Sequence, residues 1–245
     1  VEELSKSFGE KLLFHDLTLL IEGSDRIALI GDNGCGKSTF IKILMEEELP
    51  DAGHVHKGPS VKTAYLPQII HFDHPERTLY DTMLYEENCL PQTARDRLAQ
   101  FQFQGEDVFK PVSALSGGEL SRLRLCMLMR HDINFLILDE PTNHLDMDSR
   151  EVLECALQDF DGTLLTVSHD RYFINRVATR VIEMSADGAV EYEGNYDDYL
   201  EKKQAMALLL TPEAAGGKTK TQLDKEKKKE HASQQEIRAR KVKLK

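Results

Sequence analysis

The stretch Gly31-Asp32-Asn33-Gly34-Cys35-Gly36-Lys37-Ser38-Thr39 fits the spacing Gly-x4-Gly-Lys-Ser, and no other feature of the chain restricts its fold as much. The apolar run Ile27-Ala28-Leu29-Ile30 precedes it, and Phe40, Ile41, Leu44 and Met45 follow at helical spacing. The motif therefore sits between a strand and a helix, the context a phosphate-binding loop needs. Glycines at 31, 34 and 36 let the backbone turn its N–H groups toward an anion, and the following helix adds the positive end of its dipole. Lys37 supplies a mobile charge, Ser38 a hydroxyl for Mg2+, and Thr39 a further donor to phosphate.

The chain has 245 residues, enough to bury a sizeable core as one large domain or one domain with appendages. It has no apolar run near the roughly 18 residues of a membrane span, and Val1-Glu2-Glu3-Leu4 is neither a start methionine nor a basic signal region. The expectation is a segment of a longer cytoplasmic protein. Cys35, Cys89, Cys126 and Cys155 are widely spaced and read as reduced thiols. Charge is uneven: the whole chain is −11, yet residues 201–245 hold 13 Lys+Arg against 6 Asp+Glu, leaving −18 on residues 1–200. A polyanionic partner would meet the tail rather than the body.

Residues 1–30 read as strands at Leu4–Phe8, at Leu17–Glu22 and at the run into the loop. Phe8 suits either core packing or stacking on an adenine ring. Val61–Leu66 predicts a strand running into a loop that carries Gln68, and Thr78 to Leu115 changes to helical periodicity, a candidate helical insert. Ser116 and Glu119, in Leu115-Ser116-Gly117-Gly118-Glu119, have the spacing of a capping box. A helix starting there would present its free N–H groups beside Gly117 and Gly118, a second anion site. Phe135-Leu136-Ile137-Leu138 leads into Asp139-Glu140, as in a buried parallel strand opening on a ligand crevice. Asp139 can hold Mg2+ through water and Glu140 can orient an attacking water. Thr163–Val167 predicts an adjacent strand, with His169 at its end. Strands near Arg180–Met184 and Ala189–Tyr192 close the domain.

The phosphate loop, Gln68, Leu115–Glu119, Leu138–Asp146 and His169, in that order, closely resemble the ATP-binding cassette family over residues 1–200. Glu140-Pro141-Thr142-Asn143-His144-Leu145-Asp146, Ser168-His169-Asp170-Arg171-Tyr172-Phe173 and Gly194–Tyr199 resemble its F subfamily, which acts on ribosomes rather than in transport. Members usually carry two cassettes, and the 78–109 block is similar to the second.

The resemblance implies an α/β P-loop fold with a mixed central sheet, an antiparallel β subdomain and a helical subdomain at about 78–132. A linker at 201–217 and a basic tail at 218–245, disordered or the start of a coiled coil, would follow. The tail reads as a C-terminal extension or an inter-cassette linker. ATP would lie on Gly31–Thr39 with Phe8 near the adenine, and Mg2+ on Ser38, Gln68 and Asp139. Ser116, Gly117 and Gly118 would reach the nucleotide of an opposing cassette, with Asp146 at that interface. Glu140 would position water and His169 would steady the transition state. The implied partners are a second cassette and the ribosome, and no membrane. Rival expectations are a transporter's nucleotide-binding subunit, or a clamp in which ATP occupancy alone matters.

Overall fold

The computed structural model describes residues 1–129, 132–143 and 145–210, with backbone only at 207–210. The chain begins with β1 (Glu2–Phe8), β2 (Lys11–Leu17) and β3 (Arg26–Gly31), followed by α1 (Lys37–Leu44), β4 (Ala52–His54) and β5 (Thr63–Leu66). An inserted segment holds α2 (Leu79–Tyr85), α3 (Pro91–Gln100), two short 3-10 turns and α4 (Gly117–Leu128). Then come β6 (Phe135–Asp139), α5 (Met147–Gln158), β7 (Thr163–Val167), α6 (Arg171–Val177), β8 (Arg180–Ser185), β9 (Gly188–Glu193) and α7 (Tyr196–Leu210). Residues Val1–Leu200 form one body. Of the stretch expected to link domain and tail, 201–210 are helical as the end of α7. The remainder of that stretch, and the tail, lie outside the described residues.

The main sheet has the order β5-β6-β7-β3-β8-β9, parallel throughout except for β9, which pairs antiparallel with β8. Every residue of β6 and β7 is buried, which explains their near-continuous apolar sequences. Their side chains alternate between two cores. Leu136, Leu138 and Leu164 join the core built with Leu79, Leu98, Leu123 and Leu153 of the helices. Phe135, Ile137, Leu165 and Val167 join Phe40 and Ile41 of α1 and Phe14 of β2 on the other face. A second, three-stranded antiparallel sheet has the order β2-β1-β4.

The strand expected at Leu17–Glu22 is instead β2, which ends where that reading began. The turn at Gly9-Glu10 is tight, so pairing starts at once, Phe8 opposite Lys11, and runs to Leu4 opposite Leu17. Two register shifts break β2's alternation: Lys6 pairs Phe14 while Ser7 pairs Leu12, leaving Leu13 as an extra residue, and Leu13 and Phe14 are both buried. A period-two pattern cannot be read through such bulges. The stretch from Thr78 to Leu115 is likewise less helical than its periodicity predicts. Only α2 and α3 are α-helical there, and Gly105–Phe109 and Val112–Ala114 are 3-10 turns between Gly and Pro residues.

Candidate functional site

The loop between β3 and α1 lies at the carboxyl end of the parallel sheet. Gly31, Gly34 and Gly36 have φ of 150, 79 and 105°, a region closed to most L side chains. A Cβ on Gly36 would come within 2.9 Å of the Phe14 ring, so the loop leans directly on β2. Gly36 caps α1, and Lys37, its first residue, is buried. The Lys37 ammonium donates back to the carbonyls of Gly31 at 2.7 Å and Asp32 at 3.0 Å, closing the loop around its own cation.

Beside it opens a crevice of about 540 Å3, within the usual range for small-molecule sites. It is lined by Asn33, Gly34, Gly36, Lys37, Ser38 and Thr39 of the loop, joined by Phe8, Gln68, Asp139, Glu140 and His169 from the earlier reading. Gly31, Asp32 and Cys35 shape the loop without lining the crevice; the Cys35 N–H donates to the Asp32 carbonyl at 3.2 Å.

Strand pairing explains how Asp139, Glu140 and His169 meet. β6 and β7 run parallel with Asp139 opposite Val167, so the residues just beyond both strands emerge together. Glu140 breaks from the sheet with φ of 50°, a left-handed conformation that costs a residue with a Cβ on the order of 1 kcal/mol. Its N–H still donates to the Val167 carbonyl at 2.8 Å. The strain aims the carboxylate at His169: Oε2 accepts the His169 backbone N–H at 3.4 Å and Oε1 lies 3.6 Å from Nε2. Burial holds the Glu140 pKa above the usual carboxylate range, opposed by the nearby His169.

Asp139 Oδ2 accepts from Ser38 Oγ at 3.3 Å and from Tyr65 at 3.4 Å. Burial raises its pKa too, against those two hydroxyls and the Lys37 charge. Hydroxyl, amide and carboxylate oxygens from Ser38, Gln68 and Asp139 form the hard donor set that suits Mg2+, so these residues fit that ion.

The segment Ser116-Gly117-Gly118 lies outside this crevice, at the start of α4. The predicted capping box is present: Ser116 N–H donates to Glu119 Oε2 at 2.8 Å, and Glu119 N–H donates to Ser116 Oγ at 3.3 Å. Gly118 packs on α5, where a Cβ would lie 2.9 Å from Ser149 Oγ, while Gly117 is open. Asp146 caps α5 through the Ser149 N–H at 2.7 Å, so the start of α4 is braced by the cap of α5.

Two polar residues that line the crevice, Lys11 and Asn143, and one that contacts its Asp139, Tyr65, escaped the sequence reading. Tyr65 on β5 precedes Gln68 by three residues, and nothing in a β-rich run marked its hydroxyl as aimed at Asp139. Lys11 reaches the loop, its Nζ 3.1 Å from where a Cβ on Gly34 would stand. The pairing of Lys11 with Phe8 would have revealed it had β2 been placed correctly. Asn143 lines the crevice as well.

A parallel sheet with a glycine loop feeding a helix, and two carboxylates on the neighbouring strand end, defines a P-loop nucleotide-binding fold. More narrowly, the chain belongs to the ATP-binding cassette family, whose model, described as ABC transporter, matches residues 14–143. It is 47% identical over 205 residues to "Putative ATP-binding protein YdiF" of Bacillus subtilis, covering 83% of this chain and 32% of that protein. It is 40% identical over 221 residues to "ABC transporter F family member 2" of Arabidopsis thaliana, covering 87% and 32%. With "Energy-dependent translational throttle protein EttA" of Escherichia coli K12 it shares 38% over 212 residues, covering 83% and 38%. The chain thus spans about a third of the length of these relatives. Its fold matches the dimeric structure of the bacterial ABC transporter cassette MJ0796 with a TM-score of 0.66 at 18% identity, over 78% of this chain and 97% of that one. Among the described residues no helix is long and apolar enough to cross a membrane.

Proposed function

We propose that this chain is one ATP-hydrolysing cassette of an F-type protein that acts on the ribosome in the cytoplasm. The observation that carries the hydrolytic reading is the convergence of Lys37, Ser38, Gln68, Asp139, Glu140 and His169 on one crevice. In this reading Gly31–Thr39 grip the phosphates of ATP, Lys37 turns from the loop carbonyls to the β- and γ-phosphates, and Phe8 stacks on the base. Ser38, Gln68 and Asp139 hold Mg2+, which would neutralise phosphate charge. Glu140 orients the attacking water, and His169 steadies charge on the γ-phosphate.

Ser116, Gly117 and Gly118 serve a second cassette's nucleotide. Their exclusion from this chain's own crevice supports that division, as does the dimeric state named for the MJ0796 cassette. The chain is read as the second cassette of its parent, with residues 1–200 as the ATP-binding domain and the basic tail as the start of an extension. The ribosomal assignment is supported by the F-family and translational names of its relatives.

A Glu140→Gln variant of the full parent protein tests both parts. It should bind ATP, lose turnover by at least about 100-fold, and co-sediment with ribosomes when ATP is present. Unchanged phosphate release would remove Glu140 from its role, and ATP-dependent recovery with membranes would favour a transporter subunit.

A further inference from the structure

Lys6 and Phe8 are two residues apart on β1, so their side chains leave the same face of the strand. The Lys6 ammonium lies over the Phe8 ring, 5.0 Å from its centroid. It is not a free surface cation: its side chain is only 8% exposed. Three acceptors from the segment after α1 hold it: Glu48 Oε1 at 2.8 Å, the Leu49 carbonyl at 2.7 Å and Asp51 Oδ1 at 3.4 Å. Asp51 Oδ2 also accepts the N–H and hydroxyl of Ser7 at 2.7 Å each, fixing the backbone between the two side chains. Phe8, by contrast, is 52% exposed and lines the crevice.

A large aromatic so exposed has little packing to hold its rotamer, and a cation fixed over one face supplies what packing does not. With that face taken, the other is left for a planar ligand. The ammonium also draws the ring's electrons toward itself, which favours an electron-rich purine on the far side.

We propose that Lys6 is a positioning residue for the nucleotide base: anchored by Glu48, Leu49 and Asp51, it pins Phe8 as a one-sided stacking platform at the mouth of the crevice. The proposal rests on the nucleotide reading above. The plainer role for Lys6 is to tie β1 to the segment after α1, and the two roles separate experimentally.

A double-mutant cycle on Lys6→Met and Phe8→Ala, read by equilibrium binding of Mg-ATP and of Mg-tripolyphosphate, makes the distinction. Lys6→Met should weaken ATP binding about 2- to 5-fold in the wild-type background and not at all in the Phe8→Ala background. Tripolyphosphate, which has no base, should bind all four proteins alike, and Lys6→Arg should restore ATP binding. A Lys6→Met effect that persists without Phe8, or that extends equally to tripolyphosphate, overturns the proposal. Absence of ATP binding by the wild-type protein would overturn the nucleotide reading itself. Should Lys6→Met not fold, Glu48→Gln loosens the ammonium without removing it. Because the chain contains no tryptophan, the indole of a Phe8→Trp variant reports on the ring alone. Its fluorescence anisotropy should fall when Glu48→Gln is added, and an unchanged value counts against the proposal.

Discussion

Glu140 and His169 face each other across the ends of two adjacent parallel strands, with Oε1 of the carboxylate 3.6 Å from Nε2 of the imidazole. Glu140 is mostly buried and His169 is largely exposed, so the histidine reaches in from the open side of the crevice while the carboxylate stays fixed. In the proposed mechanism the buried carboxylate orients water and the exposed imidazole meets the phosphate. His169→Ala should therefore lower kcat by about 10- to 100-fold while leaving ATP affinity within about 2-fold. Single-turnover phosphate release beside equilibrium binding would show it, and an equal loss in both would mean that His169 only builds the pocket.

Tyr65 adds a second constraint, on Asp139. Burial, ahead of the Asp139 charge, pushes its hydroxyl pKa up to about 12, so it keeps its proton and remains a donor to Asp139. Removing one hydrogen bond of this kind is worth about 1 kcal/mol. Tyr65→Phe should raise the Mg2+ concentration that half-saturates ATP binding by about 3- to 10-fold, with metal-free ATP binding unchanged. A titration of ATP binding against Mg2+ measures it, and an unshifted midpoint would leave the Tyr65 contact without consequence for the ion.

Asp146 joins the start of α4 to α5. Its pKa is lowered from the ordinary 3.8, first by the Ser149 backbone N–H that its carboxylate accepts. A depressed folded pKa stabilises the native state above the unfolded value, and that contribution is lost as pH falls through the folded value. Asp146→Ala should cost about 1 kcal/mol near neutrality, the usual worth of an N-cap. The gap between wild-type and variant denaturation midpoints should narrow as pH drops below 3.8. A gap independent of pH would show that the charge is not what matters at this cap.

Most of this site was legible from residue order because its chemistry sits at strand and helix ends, where residue type and position coincide. The Gly31–Thr39 loop, the buried run into Asp139-Glu140, the strand ending before His169 and the Ser116–Glu119 box stand where the sequence placed them. Membership of the ATP-binding cassette family was legible for the same reason. What the sequence hid was non-local. The β2 bulges masked a strand, and with it the pairing that brings Lys11 to Gly34. Tyr65 reaches Asp139 only because β5 pairs with β6, a neighbour 72 residues away at Leu66 and Leu138. The Lys6 cation over Phe8 likewise depends on carboxylates more than 40 residues along the chain.

The separation of Ser116–Gly118 from the chain's own crevice has a kinetic consequence. Under the proposed function a single cassette would bind ATP but lack the opposing glycines, so the isolated chain should hydrolyse ATP feebly. Below its self-association constant, its specific activity should rise in proportion to concentration. A vigorous rate per molecule that does not change on dilution would mean that one copy suffices.

The proposed function depends above all on the loop from Gly31 to Thr39 gripping a triphosphate, with Lys37 at its centre. Calorimetric titration of the chain with Mg-ATP, beside a Lys37→Ala variant of the same fold and melting temperature, tests this most directly. The wild-type chain should show one saturable site, weakened at least about 100-fold by the substitution through loss of a charge-assisted phosphate contact. No binding to the wild-type chain, or equal binding to both, would contradict it.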